Sequence, residues 1–269
     1  MKIVRSIEDL RQARVGPAGR RVGFVPTMGA LHAGHRALMV AARAECEVAV
    51  VSIFVNPTQF NDPRDLAAYP RTEAEDEALA RGAGMDLLFV PAPDAIYPPG
   101  HATAMTMAGA ALGFEGDRRP GHFNGVALVC LKLFHLVEPD IVYLGQKDAQ
   151  QVAVLRQLIR DVHLPVAVRV VPTVRDADGL ALSSRNVRLS AADRARAAAI
   201  PRALRAGLDA WQTGADPAGA AQSALGGLDI DYAEVVSFDH EPTLVVAARL
   251  GATRLIDNVP LNQPALAGL

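Results

Sequence analysis

An α/β fold is predicted: a Rossmann-like parallel sheet with helices on both faces, plus a smaller C-terminal α+β domain. Three observations predict it. Strand-like and helix-like stretches alternate through the first two-thirds of the chain, a pattern that implies a parallel sheet covered on both faces. The polar segments 27–35, 56–61 and 145–151, the first and last of them glycine-bearing, all follow strands, where such sheets bind their ligands. After about residue 172 the alternation stops, and an Ala/Arg-rich helix is followed by short strand-like runs. The expected domains are therefore 1–172 and 173–269, hinged near residue 172.

The elements follow in chain order. Residues 21–25 are short, rich in valine and stopped by Pro26, which reads as a strand. Residues 34–46 are rich in Ala, Leu and Arg and read as a helix. Residues 48–55 are nearly all apolar, as a strand buried on both faces should be. Thr72 followed by Glu75 forms a capping-box pattern, opening a helix that runs to about Arg81. Residues 86–90 read as a third strand. Residues 126–137 read as a buried helix, with Leu128, Leu131, Phe134 and His135 near helical spacing. Residues 140–144 form a fourth strand. Val152, Leu155, Leu158, Ile159 and Val162 follow the helical apolar rule, so an amphipathic helix begins after Asp148. Residues 166–171 form a fifth strand, stopped by Pro172. Beyond it, 173–186 is a polar loop, and Ser190 with Asp193 marks the start of a helix over 191–211. Residues 214–227 are rich in small side chains, and 232–237, 244–249 and 254–256 read as short strands. No internal repeat or low-complexity tract is visible.

Composition narrows the function classes. The chain has 269 residues, 50% hydrophobic and 21% charged, which is the balance of a globular protein. Its formal net charge of -2 lacks the basic excess of a protein built to grip nucleic acid by its phosphates. Cys46 and Cys130 form no CxxC pair and sit among apolar or small residues, so they are expected to be buried, reduced and structural. Residues 1–6 hold no apolar signal core, and the longest apolar runs fall far short of the roughly 20 residues a spanning helix needs. The expectation is a soluble, cytoplasmic protein with no nucleic-acid or membrane partner. Lysine occurs only at Lys2, Lys132 and Lys147, so a lysine inside a polar turn is conspicuous.

Four segments carry candidate chemistry. The segment 26–35 (PTMGALHAGH) follows a strand and opens a helix, and His32, Gly34 and His35 within it form an HxGH pattern. Gly34 permits close backbone approach at a helix N-terminus, where unpaired amides and the helix dipole favour a phosphate. Two imidazoles beside that phosphate can donate hydrogen bonds as charge builds in an α-phosphoryl transition state. The competing readings are a metal pair, which needs further ligands at helical spacing, or two surface histidines. Residues 182–186 (LSSRN) set hydroxyls and a guanidinium on a loop. That suits a lid closing over a triphosphate, although Ser and Asn are also ordinary loop residues. In 145–148 (GQKD) the glycine lets the chain turn and Lys147 supplies a point charge for phosphate. Asp148 caps the next helix or orients a ribose. Gln150 and Gln151 begin that helix, with Gln151 expected to point back toward the strand ends. In 54–60 (FVNPTQF), the Gln59 amide donates and accepts at once, which suits a substrate with hydroxyl and carboxylate groups. A polar turn is the plainer reading of that segment alone.

Taken together, the segments resemble one family, the pantothenate synthetases. The resemblance rests on PTMGALHAGH at 26–35, NPTQF at 56–60, RPGHFNGV at 119–126, KLFHLVEPD at 132–140, GQKDAQQ at 145–151 and LALSSRN at 180–186. LSSRN stands where related adenylate-forming enzymes carry a KMSKS loop. The resemblance implies ATP-dependent condensation of (R)-pantoate with β-alanine through a pantoyl adenylate, with Mg2+ bridging phosphate oxygens and a homodimeric assembly. It further implies that Met28, Gly29, Ala30, Leu31, His32, Ala33, Gly34 and His35 embrace the ATP phosphates. His35 is then the proton donor, and His32 supports the same phosphates. It places Gly145, Gln146, Lys147 and Asp148 on ATP, with Lys147 on the phosphates and counted with the catalytic histidines. Val174 would contact adenine by its backbone, and Leu182, Ser183, Ser184 and Arg185 would close over the triphosphate as part of the C-terminal lid. Gln59 and Gln151 would bind pantoate, and Asp76 is a further possible contact. No protein ligand for the magnesium is assigned.

Two departures stand out. Many relatives carry glutamate where this chain has Gln146, a change expected to have little effect. Ala127 and Leu128 stand where relatives often carry hydroxyl side chains, which leaves His122 and Asn124 open between substrate contact and structural role. Three other readings compete: a different nucleotidyltransferase of the same superfamily, an aminoacyl-tRNA synthetase-like protein, and a nucleotide-binding regulator without turnover.

Overall fold

The computed structural model describes residues 1–14, 19–238 and 240–262. The chain divides into two compact units: Met1–Gly145 with Gln150–Val171, and Gln146–Ala149 with the chain from Pro172 onward. A single cut at 172 had left residues 146–149 in the first domain; the structure groups them with the second.

The first unit is built on six strands: β1 (Lys2–Val4), β2 (Val22–Thr27), β3 (Val48–Ile53), β4 (Leu87–Phe89), β5 (Ile141–Gly145) and β6 (Ala167–Val171). They pair in parallel in the order β1-β4-β3-β2-β5-β6. The side-chain alternation explains the apolar runs. Phe24, Val50, Phe89, Val142 and Leu144 face one core with the helices His122–Val137 and Ala149–Asp161. Val25, Val51, Leu88, Ile141 and Tyr143 face the other, with the helix Ala33–Glu45 and with Ala80 from the helix Glu73–Gly82. Both sheet faces are covered, so neither set of alternate residues is free to be polar.

Strand order reverses between β2 and β5, and ligand crevices form outside the carboxyl ends of strands at such a point. Here the two strands pair only at Gly23↔Ile141 and Phe24↔Val142. The β2–β3 ladder instead continues to Pro26↔Ser52 and Thr27↔Ile53. Pro26 therefore lies inside the strand rather than ending it. It sits past the last β5 pair, where its missing N–H is tolerated.

Other sequence expectations shift in instructive ways. The buried helix begins at His122, four residues before the expected start, with Gly121 in a left-handed conformation at its N-cap. Its last turn leaves His135 exposed, because the helix is fully covered only along its apolar stripe. Val126, Ala127, Val129, Leu133 and Phe134 of this helix are buried within this unit. Val162 is exposed, since the helix Ala149–Asp161 ends before it. The helix Ile7–Arg14 and strand β1 had no sequence signal strong enough to name; β1 is three residues long and lies at a sheet edge.

The second unit holds three antiparallel strands, β7 (Asp229–Phe238), β8 (Glu241–Leu250) and β9 (Thr253–Pro260), in that order. Leu204 and Leu208 on the helix Ala199–Gln212 pack with Leu244, Val246 and Val259. The helix expected over 191–211 is split: Ala191–Ala197 and Ala199–Gln212 meet at Ala198. Pro201 explains the break, because it has no N–H to give residue 197 and its ring crowds that carbonyl. Ser190 does cap the first piece, accepting from Asp193 N at 3.1 Å. The small-residue stretch contains the helix Pro217–Ala224, started by Asp216 as N-cap and Pro217 in the first turn.

Candidate active site

The loop after β2 is shaped by a buried carboxylate. Gly29 and Ala30 both adopt left-handed backbone, at φ 83° and 51°. Thr27 Oγ1 donates to Ser52 O at 2.6 Å and accepts from Gly29 N at 3.2 Å. Asp76, only 2% exposed, accepts from Ala30 N at 2.9 Å and from Leu31 N at 2.7 Å, using both its oxygens. A Cβ on Gly29 would lie 2.9 Å from Asp76 Oδ2 and 3.0 Å from Ile53 Cγ2, so both space and φ demand glycine there. The amides of Ala30 and Leu31 are thus committed to Asp76. The capping box expected from Thr72 and Glu75 does not form. Thr72 makes no side-chain cap, and its hydroxyl donates to Asp76 Oδ1 at 3.2 Å instead.

The helix Ala33–Glu45 is capped by the two histidines of the HxGH segment. His32 Nδ1 accepts from Gly34 N at 3.1 Å, and His35 Nδ1 accepts from His32 N at 3.3 Å, a reciprocal capping box built from imidazoles. A ring nitrogen that accepts carries no proton, so each neutral ring holds its hydrogen on Nε2. The rings lie 4.2 Å apart, centroid to centroid. A Cβ on Gly34 would sit 2.9 Å from His32 Cε1. Gly34 is therefore what lets the His32 ring fold onto the helix start. The cap thus places two neighbouring Nε2–H groups at the start of this helix.

The loop after β3, the neighbour of β2, carries Gln59 in the 3-10 turn Pro57–Gln59. Gln59 is buried, and its Oε1 accepts from Asn56 Nδ2 at 3.0 Å, so it presents its NH2 group as donor. Asn56 Nδ2 also donates to Gly125 O at 3.1 Å, and Asn56 Oδ1 accepts from the Tyr97 hydroxyl at 2.9 Å. His122 is decided as structural. Its Nδ1 bonds Gln59 O at 2.9 Å while Arg119 Nη1 bonds its Nε2 at 3.0 Å. Arginine can only donate, so the imidazole proton lies on Nδ1 and is given to the Gln59 carbonyl. Asn124 is structural too, accepting from Met107 N at 2.8 Å. Ala127 and Leu128 are buried in the helix. Of the adjacent glutamines, Gln150 is the buried one: it accepts from Glu115 N at 3.0 Å and donates to the carbonyls of Ala110, Leu112 and Gly113. Gln151 is half-buried in the same first turn.

In the second unit, Gln146–Asp148 form a 3-10 turn. Lys147 Nζ lies 3.8 Å from Asp148 Oδ1. Val174 O accepts from Leu182 N at 2.9 Å, and Arg175 bridges to Ala181, so the loop folds back and sets Val174 beside Leu182. Ser183 Oγ accepts from Arg185 N at 3.2 Å, and Asn186 Nδ2 donates to Ala181 O at 3.0 Å. In the first unit Met28 lies on the loop after β2, Ala33 is the first residue of the capped helix, and Gly145 ends β5.

These geometries sit on a chain whose whole length has relatives. Residues 2–260 match the profile of the pantoate–β-alanine ligase family. The chain belongs to this family. A pantothenate synthetase of Rhizorhabdus wittichii is 49% identical, over 97% of this chain and 99% of the relative. One from Cereibacter sphaeroides is 47% identical over 96% and 99%. Among solved structures, a pantothenate synthetase from Thermus thermophilus superposes with a TM-score of 0.91 at 43% identity, covering 97% of this chain and 99% of that one. The pantoate–β-alanine ligase of Francisella tularensis, complexed with β,γ-ATP and β-alanine, gives 0.85 at 36% identity over 98% and 99%. Members of the family thus share both units with this chain. Asn258, which bonds the turn at Lys147, had no sequence signal of its own; Asn56 and Asp76 stood in the sequence reading, but not as the orienting partner of Gln59 and the holder of the loop.

Proposed function

We propose that this chain condenses (R)-pantoate with β-alanine, driven by ATP, to give pantothenate, AMP and pyrophosphate. The observation that carries it is the family match across residues 2–260, with a relative of the same fold bound to an ATP analogue and β-alanine. In the first step the pantoate carboxylate attacks the α-phosphorus and pyrophosphate leaves. In the second the β-alanine amine attacks the acyl carbon of the pantoyl adenylate, AMP leaves, and the amine loses a proton.

His32 and His35, each with Nε2–H, donate hydrogen bonds to the phosphate oxygens as charge builds, and the donor part assigned to His35 is hydrogen bonding, since a neutral ring keeps its Nε2 proton. Met28, Gly29, Ala30, Leu31, Ala33 and Gly34 form the loop around the phosphates. Ala30 and Leu31 contribute shape there, since their amides serve Asp76. Gln59 offers its NH2 group to pantoate, and Gln151 is the second pantoate contact. Gly145, Gln146, Lys147, Asp148, Val174, Leu182, Ser183, Ser184 and Arg185 complete the ATP set, with Lys147 on the phosphates and Asp148 toward the ribose.

Among the described residues no group of three or more His, Cys, Asp or Glu is placed to hold a metal ion, and both Asp76 oxygens are engaged. Mg2+ would arrive on ATP, a metal that keeps its waters and needs few protein ligands. Bound there, it would neutralise phosphate charge. No helix among the described residues is long and apolar enough to cross a membrane. A cytoplasmic homodimer completes the proposal, on the strength of the family resemblance.

The deciding experiment measures pyrophosphate and AMP release from Mg–ATP with pantoate and β-alanine added singly and together. Pyrophosphate release that requires pantoate, with AMP and pantothenate rising in step once β-alanine is present, is expected. Pyrophosphate release without pantoate would overturn the reading.

A further inference from the structure

We infer that Asn258, on β9, is a positioning residue for Lys147: its carboxamide fixes the turn that presents the lysine to the ATP phosphates. The inference rests on the proposed phosphate role of Lys147. Asn258 is buried, and its amide is fully used. Nδ2 donates to Gln146 O and to Lys147 O, both at 2.9 Å, while Oδ1 accepts from Gln146 Nε2 at 2.8 Å. Two consecutive carbonyls turned toward one NH2 group fix the peptide planes on both sides of the Lys147 Cα. That leaves the lysine side chain a narrow set of directions.

The neighbouring residue strengthens the case. Asp257 is buried as well, and its carboxylate takes Arg175 Nη1 at 2.6 Å and Nη2 at 3.2 Å. The same carboxylate accepts from Asn258 N at 2.8 Å, and Arg175 also donates to Gly179 O at 2.9 Å. Arg175 follows Val174, so one buried polar pair of β9 holds two segments of the proposed ATP set. Packing gives no reason for polar groups here. Their neighbours Leu255, Val259 and Pro260 on the strand are buried apolar residues, and a buried polar residue is unfavourable unless its groups are partnered. Gln146 takes on a meaning the sequence did not suggest. Its amide NH2 is the donor to Asn258 Oδ1, a role a glutamate carboxylate cannot fill.

The test is a double-mutant cycle on the full chain with Asn258→Ala, Lys147→Ala and the pair, reading kcat and KM for ATP and for pantoate. Asn258→Ala is expected to lower kcat/KM for ATP by about tenfold while leaving KM for pantoate unchanged. In the Lys147→Ala background the same change is expected to do nothing further. An equal loss in both backgrounds means that Asn258 supports packing alone and overturns the inference. Wild-type ATP use by Lys147→Ala overturns the role of Lys147 and the inference with it. Should Asn258→Ala not accumulate as folded protein, Gln146→Ala removes one bond of the same clamp, and the same non-additivity with Lys147→Ala is required.

Discussion

A histidine whose Nδ1 accepts a backbone hydrogen bond must carry its proton on Nε2, and the helix cap imposes this on His32 and His35 together. The cap thus sets which ring nitrogen carries the proton. His35→Ala should lower the rate of pantoyl-adenylate formation by about 100- to 1,000-fold. The loss of one cap bond should destabilise the fold by only about 1 kcal/mol. Single-turnover pyrophosphate release and thermal melts separate the two effects. Asp76 acts one step back. Asp76→Asn turns one acceptor oxygen into a donor that meets a backbone N–H, which should cost about 1–3 kcal/mol and weaken ATP binding more than pantoate binding. Calorimetric titration of both ligands checks it; an unchanged ATP affinity would remove Asp76 from the phosphate loop's support. Cys130 makes a pH prediction. Burial pushes its thiol up to about 12. In the folded state the neutral form is favoured, so the associated stability is complete below the ordinary thiol range. It is lost progressively as pH rises through that range toward the folded value. Urea melts from neutral to alkaline pH should therefore fall less steeply for Cys130→Ala than for the unmodified chain.

At the scale of elements, the helix His122–Val137 and the loop after β3 form one device. A Cβ on Gly125 would collide with Thr58 O and lie 2.8 Å from Gln59 N, and His122 holds the Gln59 carbonyl from the same helix turn. Gly125→Ala is expected to lower stability by about 1–3 kcal/mol, because the obstacle is backbone that has little room to yield. It should also raise KM for pantoate with little change in KM for ATP, as steady-state kinetics would read. The segments RPGHFNGV and NPTQF were both visible in the sequence, but nothing in their spacing says that one rests on the other. The long apolar strands were legible, since a strand buried on both faces has a composition no loop shares. The split at Ala198 was legible in principle from Pro201. The left-handed turn at Gly29 and Ala30 was not, since alanine gives no local sign of positive φ.

For the whole molecule, sedimentation at enzyme concentrations should show twice the 28.4 kDa chain mass if the proposed dimer forms. A single-chain mass with full turnover would discard that part of the proposal. The layered α/β architecture was readable because alternation and apolar period are local properties that survive in any one-dimensional record. The HxGH segment was readable for the same reason: its cap, its glycine and its two rings lie within four residues. What remained hidden depends on residues far apart in the chain. Asp76 meets the loop at Ala30 and Leu31, His122 meets Gln59, and Asn258 meets Gln146 and Lys147. A carboxylate or amide reads alike in any polar stretch. Only the folded backbone brings it to its partners, and burial then makes those hydrogen bonds obligatory.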